Sequence, residues 1–294
     1  MNDTNNTNSI SISSSAMLVD LNIGTWTARK MDKSASSAIN KMNNADDDVA
    51  RVHKGLLSGT DQLARVIKYS AMVRNWVYKK TLPWSDSGLR LISTADYFEF
   101  KREMDEYQQE FYRMVDNFLT YYPTLISAQA FKMGAMFNRD EYPTVDDIRH
   151  KFRMSVSYLP VPEVGDFRVD IGNEATAQLR ADFEADYKQR MGSVLAEIKG
   201  RLIDNLRHVS ERFTDDENDG KERKRFRNDI LEKLAEQLST IRQLQLTKDE
   251  AVNALVQQSE KVIKNVTIDE IKENAKTRAD VRAKVNSILE SFAI

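Results

Sequence analysis

Three scattered histidines, one run of adjacent aspartates and one dense basic stretch are the residues whose types could do chemistry in this chain. His53, His150 and His208 are far apart. No two have the i, i+4 spacing that sets both rings on one helix face, so a zinc site would need ligands from distant segments. Structural histidine, on the surface or half-buried, is the simpler reading of each. Asp46-Asp47-Asp48 offers the oxygen ligands that Mg²⁺ takes. Consecutive acids on a helix point in different directions, however, and a solvated helix start accounts for them. The sequence contains no Gly-x-Ser-x-Gly elbow, phosphate-binding loop or dinucleotide fingerprint. It has no cysteine, which removes disulfides, thiolate metal sites and thiol nucleophiles together. The residues therefore predict no enzyme, no metal and no cofactor; dispersed carboxylates are the remaining route to catalysis.

The densest charge is Lys221-Glu-Arg-Lys-Arg-Phe-Arg227, directly after the acidic Thr214-Asp-Asp-Glu-Asn-Asp-Gly220. Lys221, Arg223, Lys224, Arg225 and Arg227 are candidate nucleic-acid contacts, with Phe226 offered for stacking. The competing reading is a helix start whose basic residues pair with the acids before it, with Phe226 in register with an apolar stripe. Trp26 and Trp84 are large apolar anchors. Trp84 follows Pro83 in a turn, where an aromatic ring is either a packed lid or an interaction hot spot.

The elements that must carry these residues are mostly helices. Ten Gly and five Pro in 294 residues leave long uninterrupted runs. An amphipathic helix of about 20 residues follows Gly59-Thr60. Another starts near Thr94 and carries an aromatic stripe from Tyr97 to Tyr122; Pro123 should stop it. A shorter helix is expected over 124–137, a weak polar helical region over 28–58, and a further start at Thr144. Apolar residues from Leu179 to Phe213 recur every three or four positions and predict a helix over 174–213, roughly 60 Å long at about 1.5 Å per residue. Such a helix must kink near Gly192 or Gly200, or project and find a partner. Phe226 to Leu244 forms another stripe, and Thr247-x-x-Glu250 and Thr267-x-x-Glu270 read as capping boxes that start helices over 248–264 and 268–276. A weaker start at Thr277 opens the last helix.

Period-two alternation marks strands at 17–23, 152–159 and 166–171. The last two form a hairpin around Pro160–Asp166, and 17–23 is expected to join it. The fold class is α+β, predominantly α-helical. The expected organisation is a disordered polar tail over 1–15, a helical α+β core over 16–213, a charged linker over 214–225 and a C-terminal helical segment over 226–294.

Hydrophobic content of 41% and charged content of 30% are globular values, and a net charge of −2 gives no global pull toward nucleic acid or membrane. The N-terminus lacks the basic and apolar regions of a signal peptide. No apolar run approaches the roughly 18 residues of a membrane span.

Several segments carry a resemblance: Leu21-Asn-Ile-Gly-Thr-Trp-Thr-Ala-Arg-Lys30, Leu56-Leu-Ser-Gly-Thr-Asp-Gln-Leu63, Thr81-Leu-Pro-Trp-Ser-Asp-Ser-Gly-Leu-Arg-Leu-Ile92, Tyr158-Leu-Pro-Val-Pro162 and Asp166-Phe-Arg-Val-Asp170. In this order they resemble an uncharacterised family of bacteriophage and prophage proteins, a domain of unknown function, over about 17–292. The resemblance implies a phage origin and expression in the host cytoplasm. It also implies gene neighbours such as MoxR-like AAA+ ATPases and von Willebrand A-domain proteins, and it supplies no catalytic residues. Within these segments Trp26, Arg29, Lys30, Pro83, Trp84, Asp86 and Arg90 are the candidate interaction residues. The expected function is a non-enzymatic phage protein acting through protein–protein interaction, as an adaptor for an AAA+ ATPase system. Self-association through the 174–213 helix is a related expectation. The alternatives are a nucleic-acid-binding protein of phage replication or recombination, an inhibitor of a host defence or host enzyme, and a virion component.

Overall fold

The computed structural model describes residues 12–162, 173–213, 229–244, 246–264 and 266–292. The expected strand at 166–171 and the charged stretch at 214–227 lie outside them, as do residues 1–11. The fold is mixed α and β, about 67% helical, with small antiparallel sheets. The strands are β1 (Ala16–Gly24), β2 (Arg29–Met31), β3 (His53–Gly55), β4 (Leu82–Pro83), β5 (Arg90–Ser93) and β6 (Arg153–Pro160). One sheet has the order β4-β5-β1-β6, and β2 pairs with β3 in a second. The period-two signals at 17–23 and 152–159 thus become neighbouring strands, β1 and β6.

The contact pattern divides the chain into two compact units. One comprises Met1–Asp20, Lys80–Phe98 and Tyr158–Ile294. Its axis is α5 (Asn173–Arg212), which runs unbroken through Gly192 and Gly200. Around it pack α6 (Asp229–Gln243), α7 (Glu250–Ile263) and α9 (Ala275–Phe292), and α8 (Ile268–Glu273) packs on α9. Val194, Ile198, Leu202, Leu206 and Val209 bury one stripe of α5 among Leu238, Ile241, Leu255, Val281 and Val285. Each such side chain contributes roughly 1.5–3 kcal/mol when fully buried. From Thr176 to Arg190, by contrast, α5 buries no residue. The sequence reading placed α5 with the residues before it; packing groups its second half with the C-terminal helices. Residues 12–15, read from sequence as tail, are packed here: Ile12 is fully buried, and Ser15 Oγ donates to the carbonyl of Leu244 at 3.5 Å. Thr267 and Glu270 form the expected capping box. At α7 the cap is instead Asp249, whose side chain accepts from the Val252 amide at 2.8 Å. A residue one position before the helix reaches that amide in the usual N-cap geometry.

The other unit comprises Leu21–Lys79 and Glu99–Ser157. Its main helices are α2 (Asp61–Lys80) and α3 (Tyr97–Met133), and α4 (Val145–Arg149) starts at a Thr144–Asp147 capping box. The helical reading of 28–58 fails over most of its length. Only α1 (Lys33–Met42) is helical, and Arg29–Met31 pairs antiparallel with His53–Gly55. The reason is local polar competition. Asp32 caps α1 by accepting from the Ala35 amide, and Ser36 Oγ accepts from the Val52 amide. Buried Asn40 ties the 43–50 loop through Asp47 and both backbone groups of Ala50. Pro123 does not end its helix, and no separate helix starts at 124; α3 continues to Met133. A mid-helix proline costs about 3 kcal/mol. Burial of Tyr122, Ile126 and Gln129 on the inner side of the helix offsets that cost.

Candidate interaction surface

The second half of α3 is fastened at its end by a set of half-buried polar contacts. Lys54, on β3, is the centre. Its Nζ lies 2.8 Å from Glu141 Oε2 and 3.6 Å from Asp32 Oδ2, and it donates to the carbonyl of Met136 at 2.9 Å. The three side chains are only 9%, 12% and 15% exposed. Lys54 thereby joins the hairpin, the cap of α1, the 3₁₀ turn Arg139–Glu141 and the chain just beyond α3.

A second group of contacts clasps α3 itself. Gln129 Nε2 and Lys132 Nζ both donate to the carbonyl of Ser58, at 3.1 and 2.7 Å. Gly59 makes this approach possible. It has φ +76°, and a Cβ there would sit 2.5 Å from Lys132 Nζ. Tyr142 Oη donates to the carbonyl of Leu56 at 2.8 Å and approaches Met133 Sδ at 3.2 Å. Tyr122 Oη donates to the carbonyl of Pro143 at 3.1 Å. Leu56 in turn donates its amide to the carbonyl of Ala28 at 2.7 Å, and buried Ala28 holds a left-handed φ of +49°.

The electrostatics of this cluster suit holding rather than proton transfer. Its hydrogen bond to Glu141, with help from Asp32, raises the Lys54 pKa despite the opposing effect of burial. A lysine that acts as base or Schiff-base nucleophile needs the opposite shift. The Ala35 amide, more than Lys54, holds the Asp32 carboxyl below its ordinary value. Burial pushes the Tyr122 phenol up to about 12 and raises that of Tyr142. Near neutral pH Lys54 and Asp32 stay charged and the two phenols stay neutral.

What the clasp fixes in place is an uncharged outer face of α3. Thirty per cent of the chain is charged, yet the twenty residues from Asn117 to Met136 hold one charge, Lys132, whose ammonium is the one tied to Ser58. On the exposed side lie Thr120, Tyr121, Thr124, Ser127, Ala128 and Phe131. Phe131 is 92% exposed and Tyr121 49%. Both rings are large apolar groups left in water on the same side of one helix.

The residues singled out from sequence are dispersed. Trp26 is 9% exposed and packs edge-on to Tyr122, with ring centroids 5.8 Å apart, and against Phe118. Arg29 and Lys30 are exposed on β2. In the other unit, Trp84 is 6% exposed, lies edge-on to Tyr187, and accepts from Arg190 through its carbonyl at 3.1 Å. Of the two readings of this turn aromatic, the packing is that of a lid. Pro83 is half-buried in β4, Asp86 is exposed in the turn, and Arg90 donates to the hydroxyl and carbonyl of Thr81 at 2.7 and 2.9 Å. Lys221, Arg223, Lys224, Arg225 and Arg227 lie outside the described residues. His53, His150 and His208 are all exposed, and Asp46, Asp47 and Asp48 are exposed in a turn rather than at a helix start. Among the described residues no cluster of His, Asp or Glu is placed to hold a metal ion, and no helix is long and apolar enough to cross a membrane.

Sequence reasoning missed Lys54, Asp32, Glu141, Gln129 and the α3 face. The uncharged run at 117–136 was the available signal, because its length stands out against the charge of the rest of the chain. No family model, curated protein or solved structure matches this chain.

Proposed function

We propose that this chain is a non-enzymatic protein that acts by binding protein, with the outer face of α3 as its docking surface. The observation that carries this reading is the exposure of Phe131 and Tyr121 on an uncharged helical face held by Lys54, Gln129 and Lys132. A surface fixed in advance loses less conformational freedom on binding than a mobile one, so more of its contact energy appears as affinity. The setting, a phage adaptor for an AAA+ ATPase system in the host cytoplasm, rests on the motif resemblance alone. The test places a photo-crosslinking phenylalanine analogue at Phe131 or Tyr121 of the full chain in expressing cells. Specific adducts to protein from these positions, and none from exposed Lys276 on α9, are the expected result. No adduct from either position overturns the reading.

A further inference from the structure

We propose that the β2–β3 ribbon is a second binding surface, one that takes the phosphate backbone of nucleic acid. It is distinct from the α3 face, and neither depends on the other. Every residue of β2 is exposed. Arg29 and Lys30 stand on that strand, Lys33 opens α1 just after it, and Arg51 leads toward β3; all four are exposed. Among the described residues none of the four forms an ion pair or donates a side-chain hydrogen bond. The acids that could neutralise them are engaged elsewhere. Asp32 lies between Met31 and Lys33 in sequence, yet its side chain is largely buried and serves Lys54 and the Ala35 amide. Glu141 shares the same ammonium. Asp46, Asp47 and Asp48 lie beyond the far end of α1, where Asn40 donates to the Asp47 carbonyl. Lys33 is at the opposite end of that helix, about 15 Å away at a rise of ~1.5 Å per residue. That exceeds the ~10 Å over which exposed charges act at about 0.1 M salt.

The backbone beneath these cations is fixed. Arg29 pairs with Gly55, Lys30 with Lys54 and Met31 with His53. The Asp32 amide donates to the carbonyl of Val52 at 2.9 Å and the Leu56 amide to that of Ala28 at 2.7 Å, which closes the ribbon at both ends. Side-chain chemistry selects the partner. Protein interfaces are depleted in lysine and draw their energy from buried aromatic anchors, and neither β2 nor β3 carries an aromatic anchor of the Phe, Tyr or Trp kind. Phosphate contacts need only exposed cations and the counterions they release. An anionic membrane fits less well. The most exposed apolar side chains of residues 29–55, Met42 and Val49, flank Asp46–Asp48, which such a membrane repels.

The probe is a fluorescein-labelled DNA duplex of arbitrary sequence, read by anisotropy with the full chain from about 50 to 200 mM salt. Four phosphate contacts predict a slope of log affinity against log salt of about −3.6, roughly a 150-fold loss across that range. Arg29→Gln with Lys30→Gln and Lys33→Gln cuts the slope to about −0.9. Lys248→Gln with Lys261→Gln and Lys276→Gln removes the same charge from exposed positions in the other unit and leaves the slope unchanged. Circular dichroism establishes that each variant is folded. No binding to the duplex overturns the proposal, as does a ribbon variant that binds like the parent or a control that loses as much. Binding lost only on changing Arg223, Lys224 and Arg225 to Gln also overturns it and assigns the contact to that stretch. Ribbon-dependent capture on phosphatidylserine vesicles without duplex binding overturns it in favour of a membrane.

Discussion

Lys54→Met tests whether the ion cluster holds this part of the molecule together. The substitution keeps most of the aliphatic stem and removes the ammonium. The carbonyl of Met136 loses its donor, and the Asp32 and Glu141 carboxylates are left without the cation between them. A hydrogen bond to a charged group contributes roughly 1.5–3 kcal/mol. Breaking a fully buried ion pair by removing one partner costs roughly 3–5 kcal/mol. With Lys54 at 9% side-chain exposure, the expected loss is about 2–4 kcal/mol. Urea unfolding followed by tryptophan fluorescence measures it. In a Trp84→Phe background the remaining Trp26 and Trp76 both report from the unit that contains Lys54. At a slope of about 2 kcal/mol/M the midpoint falls by roughly 1–2 M. The control is Arg65→Ala, which removes an exposed i, i+4 pair with Asp61 in the same unit and costs about 0.3–0.5 kcal/mol. Adding Glu141→Gln to Lys54→Met recovers part of the loss, because it removes a charge left unpaired. If Lys54→Met shifts the midpoint no more than Arg65→Ala does, the cluster is effectively in water and the clasp argument fails.

Further outcomes are expected. The raised pKa of Lys54 makes its contribution fully present below the ordinary lysine value of 10.5 and lost as pH rises through its folded value. The lowered pKa of Asp32 makes its contribution present above 3.8 and lost as pH falls through its folded value. The difference in urea midpoint between the parent chain and Lys54→Met should therefore be flat near neutrality and shrink at both extremes; a maximum near pH 5 would contradict the assignment. Gly59→Ala should destabilise by about 1–2 kcal/mol from its positive φ alone, and the new Cβ displaces Lys132 from Ser58. Gly192→Ala, whose Cβ meets nothing within 4 Å inside α5, should instead stabilise by up to about 1 kcal/mol; thermal melts that reverse this order refute the argument. If the 221–227 stretch binds nucleic acid, gel-shift affinity should fall steeply with salt and with charge reversal at Arg223 and Arg225, and an unchanged gel removes that reading.

Local periodicity together with capping signals was enough to place α2, the start of α3, α5, the C-terminal helices and two neighbouring strands. Each is written in a signal that a short window can read, such as the three-to-four repeat from Met191 to Val209, the alternation of β1 or the Thr267–Glu270 capping box. Tertiary structure decided what no window contains. Whether Pro123 ends a helix depends on the burial of Tyr122 and Ile126 beside it. The β2–β3 hairpin pairs residues on either side of α1, so neither three-residue strand is long enough to show a period. Lys54, Asp32 and Glu141 are ordinary surface residue types far apart in sequence, and only folding brings them within hydrogen-bonding and ion-pairing reach. The uncharged run on α3 was legible as composition. Sequence could not tell that one side of it faces water, because a helix stripe acquires an inside and an outside only when something packs against it.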